Sequence, residues 1–375
     1  MQKTFRIGQG TGSYSTNGCL RAIVVIMLLA AQFPSWLKPE IIPGLPFRWY
    51  GFMYIVAFGV AFLLYRRQVR ERNFPMTEDE LSGLFFWGIL TLILGARIFS
   101  ALVYEPENIY LRSPWLIFWP WRNGKFTGFQ GMSYHGGVIG GILAIFVYAK
   151  VKKFDFREIG DMYAASIPLG YTFGRLGNFI NGELYGRITA GPLGMIFPHG
   201  GIYPSDKYYA RIVSGAEELG LSAIAGPGGV LNYPRHPSQL YEMFFEGAVL
   251  WAVIWFFRNR KPFKGFLITL YLSGYGFVRF FIEYFREPDA DLGYRIQLVK
   301  TSLPPAISHP LLCFSTGQIL CFLMILGGLC WAFFAARMSD SKPVFVYPSE
   351  GERKTPKPDD KAERNRRRKL RNKLK

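Results

Sequence analysis

The segment LSGLFFWGILTLILGARIFSALVY, residues 81–104, is a long apolar stretch with a single charged residue, Arg97. About 20 consecutive apolar residues are enough for a helix to cross the roughly 30 Å hydrocarbon core of a bilayer. A membrane-spanning β-strand would instead alternate apolar and polar residues, and this segment does not. Residues 81–104 therefore predict a transmembrane helix that contains one arginine.

Segments of the same kind recur along the chain, which has 375 residues, of which 50% are hydrophobic and 17% aromatic. We find seven in total, including residues 81–104. The other six are residues 49–66, 135–150, 160–181, 238–257, 265–285 and 316–336. The predicted fold class is therefore all-α, a polytopic integral membrane protein with seven transmembrane helices.

The net charge of +18 is concentrated in basic clusters that follow the first, third, fifth and seventh apolar segments. These clusters lie within residues 66–72, 150–157, 258–264 and 353–375. Because basic loops stay on the cytoplasmic side, the alternation predicts an N-terminus outside and a C-terminus in the cytoplasm. The bilayer thus accounts for the basic charge, and we expect no nucleic-acid partner.

This topology divides the chain into three regions. Residues 1–46 form an N-terminal extension whose apolar part, residues 20–31, is too short to span a membrane. That part is either an interfacial segment or a stretch that precedes the native start. Residues 47–337 form the seven-helix domain, with residues 182–237 as a large external loop, and residues 338–375 are predicted to be a basic, disordered cytoplasmic tail.

Polar and ionisable side chains interrupt the apolar segments, and most of them gather toward the predicted outer ends. A charge inside a membrane is costly, so each one needs a partner or a function. The set comprises Arg97, His135, Asp161, Arg175, Asn178, Ser238, Gln239, Glu242, Glu246, Tyr271, Tyr275, Arg279 and Glu283. These residues either only connect helices or form a binding site.

The three arginines, Arg97, Arg175 and Arg279, favour a binding site because helix contacts alone do not require several arginines in one leaflet. A guanidinium group keeps its charge and matches the geometry of phosphate and carboxylate groups. The available glutamates are Glu183, Glu242, Glu246 and Glu283. They either neutralise the arginines within the protein or leave part of the positive charge for a phospholipid headgroup.

His135 stands at the predicted outer end of the third segment, and glycines follow it at positions 136, 137, 140 and 141. Histidine is a common general base near neutral pH, but a histidine that only forms a hydrogen bond fits this position equally well. Small residues at this spacing favour close helix packing. At the end of the fourth segment, Gly182 and Gly186 are expected to end the helix that carries Arg175 and Asn178.

The stretch GRLGNFINGELYG, residues 174–186, resembles the signature of bacterial prolipoprotein diacylglyceryl transferases over thirteen positions. Tyr185 stands where many members have tryptophan. Further blocks agree in order, and the resemblance covers residues 47–336. These blocks are FRWYGFMY (47–54), SYHGG (133–137), RHPSQLYE (235–242), YGFVRFFIEYFREPDA (275–290) and TGQIL (316–320).

The resemblance implies a seven-helix enzyme of the bacterial inner (cytoplasmic) membrane. Members of the family transfer a diacylglyceryl group from phosphatidylglycerol to the lipobox cysteine thiol of a prolipoprotein and release glycerol phosphate. The implied partners are therefore phosphatidylglycerol, prolipoprotein signal peptides and the lipid bilayer. No cofactor is implied, and no metal site is predicted, since the four cysteines lack metal-ligand spacing.

The resemblance also implies which residues act. The matching positions are Tyr50, His135, Arg175, Asn178, Glu183, Gly186, Tyr275, Arg279 and Glu283. Arg175 and Arg279 are expected to hold the phosphate and to act in catalysis. The residues expected to bind phosphatidylglycerol with them are Asn178, Glu183, Gly186, Tyr275 and Glu283. Either His135 or Tyr50 is expected to help deprotonate the thiol.

Two other function classes are compatible with buried arginines. One is a transporter of lipids or small anions, but transporters commonly show two related halves, and no internal repeat is evident. The other is a non-catalytic lipid-binding homologue. The occupation of every signature position favours the enzyme over both.

Overall fold

The computed structural model describes residues 31–44, 47–104, 109–122, 124–126, 131–287, 294–301, 303–338 and 340, together with Arg368, Lys369 and Asn372. Within these ranges the protein is mostly helical, with strands of two to four residues. Residues 20–30 of the apolar stretch and most of the tail from 338 onward lie outside the described residues, so the expectations for them stay predictions.

The main helices follow the predicted apolar segments, except for the helix Tyr209–Glu218, which lies in the predicted external loop 182–237. In chain order they are α1 (Trp49–Glu71), α2 (Glu78–Val103), α3 (Tyr134–Lys152), α4 (Phe156–Ala164), α5 (Ile167–Ile180), α6 (Tyr209–Glu218), α7 (Ser238–Phe257), α8 (Phe266–Ile282) and α9 (Thr316–Arg337). Among the described residues, five helices are long and apolar enough to cross a membrane, namely α1, α2, α3, α7 and α9. This is the architecture of a helical membrane protein.

The fourth predicted segment, residues 160–181, is two helices rather than one. Helix α4 ends at Ala164 and α5 begins at Ile167. Pro168 is the second residue of α5, and it has no N–H to donate to the carbonyl four residues earlier. At the break, Ser166 Oγ donates to the carbonyl of Met162 at 2.8 Å, and Gln68 Nε2 donates to the same carbonyl at 2.9 Å.

The sixth predicted segment, residues 265–285, forms the shorter helix α8 of 17 residues. At 1.5 Å per residue, this helix is about 25 Å long, which is less than the thickness of the hydrocarbon core. Glu283, which the sequence placed on this helix, follows its last residue, Ile282.

The described residues belong to two compact units. The helical unit comprises Gly51–Arg175, Glu242–Phe280 and Ile319–Lys375, and the loop unit comprises Met1–Tyr50, Leu176–Tyr241 and Phe281–Gln318. In the helical unit, large side chains from α1, α2 and α4 form the core. Its fully buried members include Tyr65, Leu81, Leu84, Ile159 and Met162.

Glycines set the close packing of α2 against α3, as the sequence predicted. An added Cβ at Gly140 would lie 2.2 Å from the carbonyl oxygen of Thr91, and one at Gly136 would lie 2.3 Å from that of Gly95. At Gly141 an added Cβ would meet nothing within 4 Å. Gly136 and Gly140 therefore pack helices together, whereas Gly141 does not.

The loop unit is built from short strands around a small core. Strands β1 (Ala31–Gln32) and β4 (Met195–Ile196) pair in parallel. A three-stranded sheet contains β5 (Gly201–Ile202), β6 (Ile224–Ala225) and β7 (Leu231–Asn232), with β7 in the middle. Strand β8 (Tyr294–Gln297) pairs with β9 (Cys313–Ser315). The short hairpin β2–β3 (Trp121–Arg122 and Lys125–Phe126) belongs to the helical unit. The core of the loop unit includes Ile188, Ile202, Ile212, Tyr233 and Ile307.

Candidate active site

Two arginines and two glutamates form a buried ion-pair cluster in the helical unit. Arg175 Nε on α5 lies 2.7 Å from Glu242 Oε2 on α7. Arg279 Nη1 on α8 lies 2.8 Å from Glu242 Oε1 and 3.3 Å from Glu246 Oε1. Glu242 and Glu246 are 1% and 0% exposed. The cluster contains two positive and two negative groups, so its formal charges balance. This balance is important because an unpaired buried charge is strongly destabilising.

Tyr171 connects Arg175 to Glu246 within this cluster. Its hydroxyl accepts a hydrogen bond from Arg175 Nε at 2.6 Å and donates one to Glu246 Oε2 at 2.5 Å. Its ring meets that of Tyr275 edge to face, with the centroids 6.0 Å apart. Tyr171 was not among the residues predicted from the sequence. The signal was present, since a residue four positions before Arg175 shares its helix face.

The glutamates of this cluster lie in a π-helical part of α7, Glu242–Val249. Such turns are rare and occur frequently at functional sites. Close packing accompanies the turn, because an added Cβ at Gly247 would lie 2.1 Å from Thr172 Oγ1 on α5. Glu242 and Glu246 are four residues apart, and the structure places both in this wider turn.

The end of the signature stretch forms a hydrogen-bonded turn in the loop unit. Helix α5 ends at Ile180, and the Glu183 Oε1 atom accepts from Asn178 Nδ2 at 3.0 Å and from Asn181 Nδ2 at 3.2 Å. Gly182 and Leu184 have positive φ values of 64° and 57°. Gln239 Nε2 donates to the carbonyl of Glu183 at 2.6 Å. The prediction that the helix ends before Gly182 is confirmed.

Three of the motif blocks converge at Gly186 in the loop unit. The Gly186 N–H donates to the carbonyl of His236 at 2.8 Å, and the Arg187 N–H donates to that of Phe285 at 2.9 Å. An added Cβ at Gly186 would lie 2.2 Å from the Phe285 carbonyl oxygen. The protein backbone itself approaches this glycine, so a side chain has no room here.

Arg235 and Glu283 hold the neighbouring segments of the loop unit. Arg235 Nη1 lies 2.5 Å from Glu287 Oε2 and 3.4 Å from the Gly186 carbonyl oxygen. Glu283 Oε1 accepts from Ser315 Oγ at 3.1 Å. An added Cβ at Gly317 would lie 2.8 Å from the same carboxylate oxygen, so the TGQIL block packs directly against Glu283.

The two candidate bases lie at the starts of helices. His135 is the second residue of α3, and its Nδ1 atom lies 3.1 Å from the Tyr104 hydroxyl oxygen within the helical unit. Tyr50 is the second residue of α1 and belongs to the loop unit, where it is half-buried. Tyr104 therefore engages one ring nitrogen of His135, a contact that the sequence did not predict.

The predicted site residues are divided between the units. Arg175, Tyr275, Arg279 and His135 belong to the helical unit; Tyr50, Asn178, Glu183, Gly186 and Glu283 belong to the loop unit. Arg97 belongs to the helical unit but donates hydrogen bonds to loop carbonyls, namely those of Ile117 at 2.6 Å and Gly131 at 3.3 Å. Arg175 and Arg279 each contact Glu242.

Two histidines in the loop unit, His236 and His309, have lowered pKa values. Burial, together with the positive charge of Arg187, lowers the pKa of His236 and of His309 to about 4. Both rings pack against aromatic side chains, His236 against Phe285 at 5.2 Å and His309 against Tyr284 at 4.5 Å between centroids. These histidines are therefore neutral at pH 7.

The fold and the site together define a multi-pass helical membrane protein with a charge-balanced arginine–glutamate cluster among its helices. Residues 39–334 match the family model described as prolipoprotein diacylglyceryl transferase. The chain belongs to this family.

Curated relatives named phosphatidylglycerol–prolipoprotein diacylglyceryl transferase are similar along most of their length. The protein of Treponema denticola is 57% identical over 320 residues, which cover 81% of this chain and 94% of the relative. That of Treponema pallidum is 49% identical over 316 residues, covering 80% and 94%. That of Chlorobaculum tepidum is 41% identical over 321 residues, covering 84% and 96%.

Proposed function

We propose that this protein transfers the diacylglyceryl group of phosphatidylglycerol to the lipobox cysteine thiol of bacterial prolipoproteins, the first step of lipoprotein maturation. Family membership supports this transferase reaction, and the shared name of the relatives supports both substrates. The single observation that carries the site is that one buried carboxylate, Glu242, contacts the guanidinium groups of both Arg175 and Arg279.

The reaction replaces a carbon–oxygen bond with a carbon–sulfur bond. A cysteine thiol of pKa about 8.5 must first lose its proton to become a good nucleophile. The thiolate attacks the glyceryl carbon, and the electron pair of the broken bond leaves with the phosphate. The products are a thioether and glycerol phosphate, whose phosphate gains one negative charge. Arg175 and Arg279 stabilise that charge.

The glutamates of the cluster keep the two arginines ready for a phosphate. Without compensation, two guanidinium groups within one apolar site would repel each other. Glu242 and Glu246 offset this repulsion at distances of 2.7 to 3.3 Å. A phosphate diester then enters as an additional bidentate partner for the guanidinium groups rather than as their only counter-charge.

The thiol proton goes to His135 or to Tyr50. His135 has its Nδ1 atom beside the Tyr104 hydroxyl, and in the tautomer in which Nδ1–H donates to that hydroxyl, Nε2 is the ring atom that would accept the proton. His135→Asn is expected to lower the transfer rate steeply if His135 is the base. A near-wild-type rate in this variant would assign the proton transfer to Tyr50, which Tyr50→Phe then tests.

The remaining signature residues bind the glycerol headgroup of phosphatidylglycerol. Asn178 and Glu183 are already hydrogen-bonded to each other, so they form one polar unit that suits hydroxyl groups. Tyr275 and Glu283 complete this binding set, and their match to the family signature supports these roles. Gly186 matches the signature too, but protein backbone fills the space beside it, so its role is to let the segments at His236 and Phe285 pack closely.

The proposal includes a seven-span topology in the bacterial inner membrane, with the N-terminus outside and the C-terminus in the cytoplasm. The pair α4–α5 would form the fourth span and α8 the sixth. The support is the alternation of basic clusters along the chain. Single cysteines at Ser205 and at Ser341, introduced into a variant whose four native cysteines are replaced by serine, test it, since only the former should react with a membrane-impermeant thiol reagent added from outside.

The activity is tested with purified protein, phosphatidylglycerol vesicles and a lipobox peptide, whose mass is measured after incubation. The wild-type protein should add one diacylglyceryl group to the peptide, and a peptide with serine in place of cysteine should gain none. Arg175→Ala and Arg279→Ala should each abolish transfer. Arg211→Ala, an exposed arginine on α6, is the matched control and should keep the wild-type rate. No adduct with the wild-type protein would contradict the proposal.

A further inference from the structure

Arg97 is a buried arginine on α2 that the proposed reaction does not use. It is 4% exposed. Its Nε donates to the carbonyl of Ile117 at 2.6 Å, its Nη1 to that of Gly131 at 3.3 Å, and its Nη2 to the Tyr110 hydroxyl at 3.0 Å. These three acceptors belong to the connection between α2 and α3, so one side chain binds this connection at three points.

The last part of the connection lies directly on α2. The Ser133 N–H donates to the carbonyl of Ala96 at 2.9 Å, and Ser133 Oγ caps α3 by accepting from the Gly136 N–H at 3.3 Å. Gly131 has a φ of 79°, and an added Cβ there would lie 2.8 Å from Ser100 Oγ. Residues 131–133 are therefore held against the same turn of α2 that carries Arg97.

His135 follows this segment by two residues and faces the next turn of α2. Its Nδ1 atom lies 3.1 Å from the hydroxyl oxygen of Tyr104, the C-cap residue that follows α2. Its ring centroid lies 6.5 Å from that of Phe99. The orientation of the imidazole thus depends on residues 131–135 keeping their place on α2.

We propose that Arg97 is a positioning residue for His135. Arg97 fixes the Gly131 carbonyl, and it also holds Ile117 and Tyr110 of the connection. It thereby sets the point at which α3 begins and hence the contact of His135 with Tyr104. A planar guanidinium group donates to several separate acceptors at once, whereas the single ammonium group of a lysine does not reach all three in this geometry. The catalytic consequence rests on the proposed function, but the positional consequence does not.

The positional consequence is tested by histidine NMR on the full chain in detergent micelles. The chain has four histidines, so selective 13C labelling gives four ring signals, and His135→Asn identifies the one from His135. Arg97→Lys and Arg97→Gln should both shift that signal and leave the other three in place. Tyr104→Phe, which removes the direct partner, should shift it too.

Arg157→Lys is the matched control, because Arg157 is also a buried arginine of the helical unit, with 7% exposure, but pairs with Asp155 and Asp340. It should leave the His135 signal unchanged. If Arg97→Gln does not fold, the NMR spectrum of Arg97→Lys tests the inference alone, because this variant keeps the buried positive charge. An unmoved His135 signal in a folded Arg97 variant overturns the inference.

The catalytic consequence is tested by transfer kinetics. Arg97→Lys should lower kcat by about tenfold and change KM for phosphatidylglycerol by less than about twofold, as expected when geometry rather than lipid binding is affected. A raised KM with unchanged kcat would show that Arg97 binds lipid directly, which overturns the positioning role. If the wild-type protein has no transfer activity, the proposed function fails while the NMR experiment still decides the position of His135.

Discussion

At the scale of single residues, the cluster depends on groups that share partners. Glu242 contacts both Arg175 and Arg279, and Tyr171 contacts both Arg175 and Glu246. Sharing fixes the guanidinium groups in one geometry and satisfies charges that the apolar surroundings would otherwise penalise. The most informative substitutions are therefore those that remove one shared atom and keep the side-chain volume.

Tyr171→Phe removes one such atom, the hydroxyl oxygen. Hydrogen bonds to charged groups are worth about 1.5–3 kcal/mol, so the transfer rate should fall by roughly 10- to 100-fold. The rate is measured as diacylglyceryl adduct formed per minute on a lipobox peptide. Tyr271→Phe is the control, because its ring also packs on Tyr275, with the centroids 6.0 Å apart. Equal rates in the two variants would contradict the role of Tyr171.

Gly186→Ala tests the close backbone approach in the loop unit. The new Cβ would lie 2.2 Å from the Phe285 carbonyl oxygen, so the turn must shift, and both transfer and thermal stability should fall sharply. Gly174→Ala, in the same signature but with nothing within 4 Å of an added Cβ, is the matched control. It should melt at the wild-type temperature or slightly above, since alanine favours a helix over glycine by up to about 1 kcal/mol.

At the scale of elements, glycines decide which helices pack closely. Gly140→Ala would place a methyl group 2.2 Å from the Thr91 carbonyl oxygen, whereas Gly141→Ala would place one in open space. The first should lower the free energy of unfolding by roughly 1–3 kcal/mol and the second by almost nothing. Thermal unfolding followed by circular dichroism compares them, and the account of α2–α3 packing fails if the neighbours behave alike.

Much of the helical pattern could be predicted because long apolar segments admit few structures in a membrane. Helices α1, α2, α3, α7 and α9 follow directly from residue type. Pro168 is a sequence signal for the break near Ser166, but the continuous apolar run of residues 160–181 favoured a single helix. The π-helical turn at Glu242–Val249 was not, since it depends on contacts that α7 makes with other helices.

The sequence indicated candidate site residues but not the contacts among them. Composition and motif indicated Arg175, Asn178, Glu183 and Arg279, and the structure bonds Asn178 to Glu183. Which glutamate neutralises which arginine depends on how α5, α7 and α8 face one another, and spacing along one helix does not contain that information. Nothing in the sequence separates Arg97 from the other arginines. In the structure its N–H groups donate to loop carbonyls.

At the scale of the whole molecule, buried neutral histidines predict a pH dependence of stability. The pKa values of His236 and His309 are about 4 in the folded protein and near 6.5 in an unfolded chain. Between these values the unfolded state binds more protons. The contribution of these two histidines to stability should therefore be constant above about pH 6.5 and should fall as the pH decreases toward 4.

Melting temperatures measured from pH 7.5 to pH 4 check this dependence. His236→Gln keeps a neutral polar side chain, so it should flatten the decrease below pH 6.5 while leaving the melting temperature at pH 7.5 close to that of the wild type. The double variant with His309→Gln should flatten it further. A slope that neither substitution changes would assign the acid sensitivity to other groups.

The most direct test of the whole account follows which bond breaks. Phosphatidylglycerol labelled with 13C in its headgroup glycerol is incubated with the protein and a lipobox peptide, and both products are weighed. The account predicts a peptide heavier by one unlabelled diacylglyceryl group and glycerol phosphate that carries all of the label, with neither product formed by Arg279→Ala. Label on the peptide, or a peptide of unchanged mass, would contradict it.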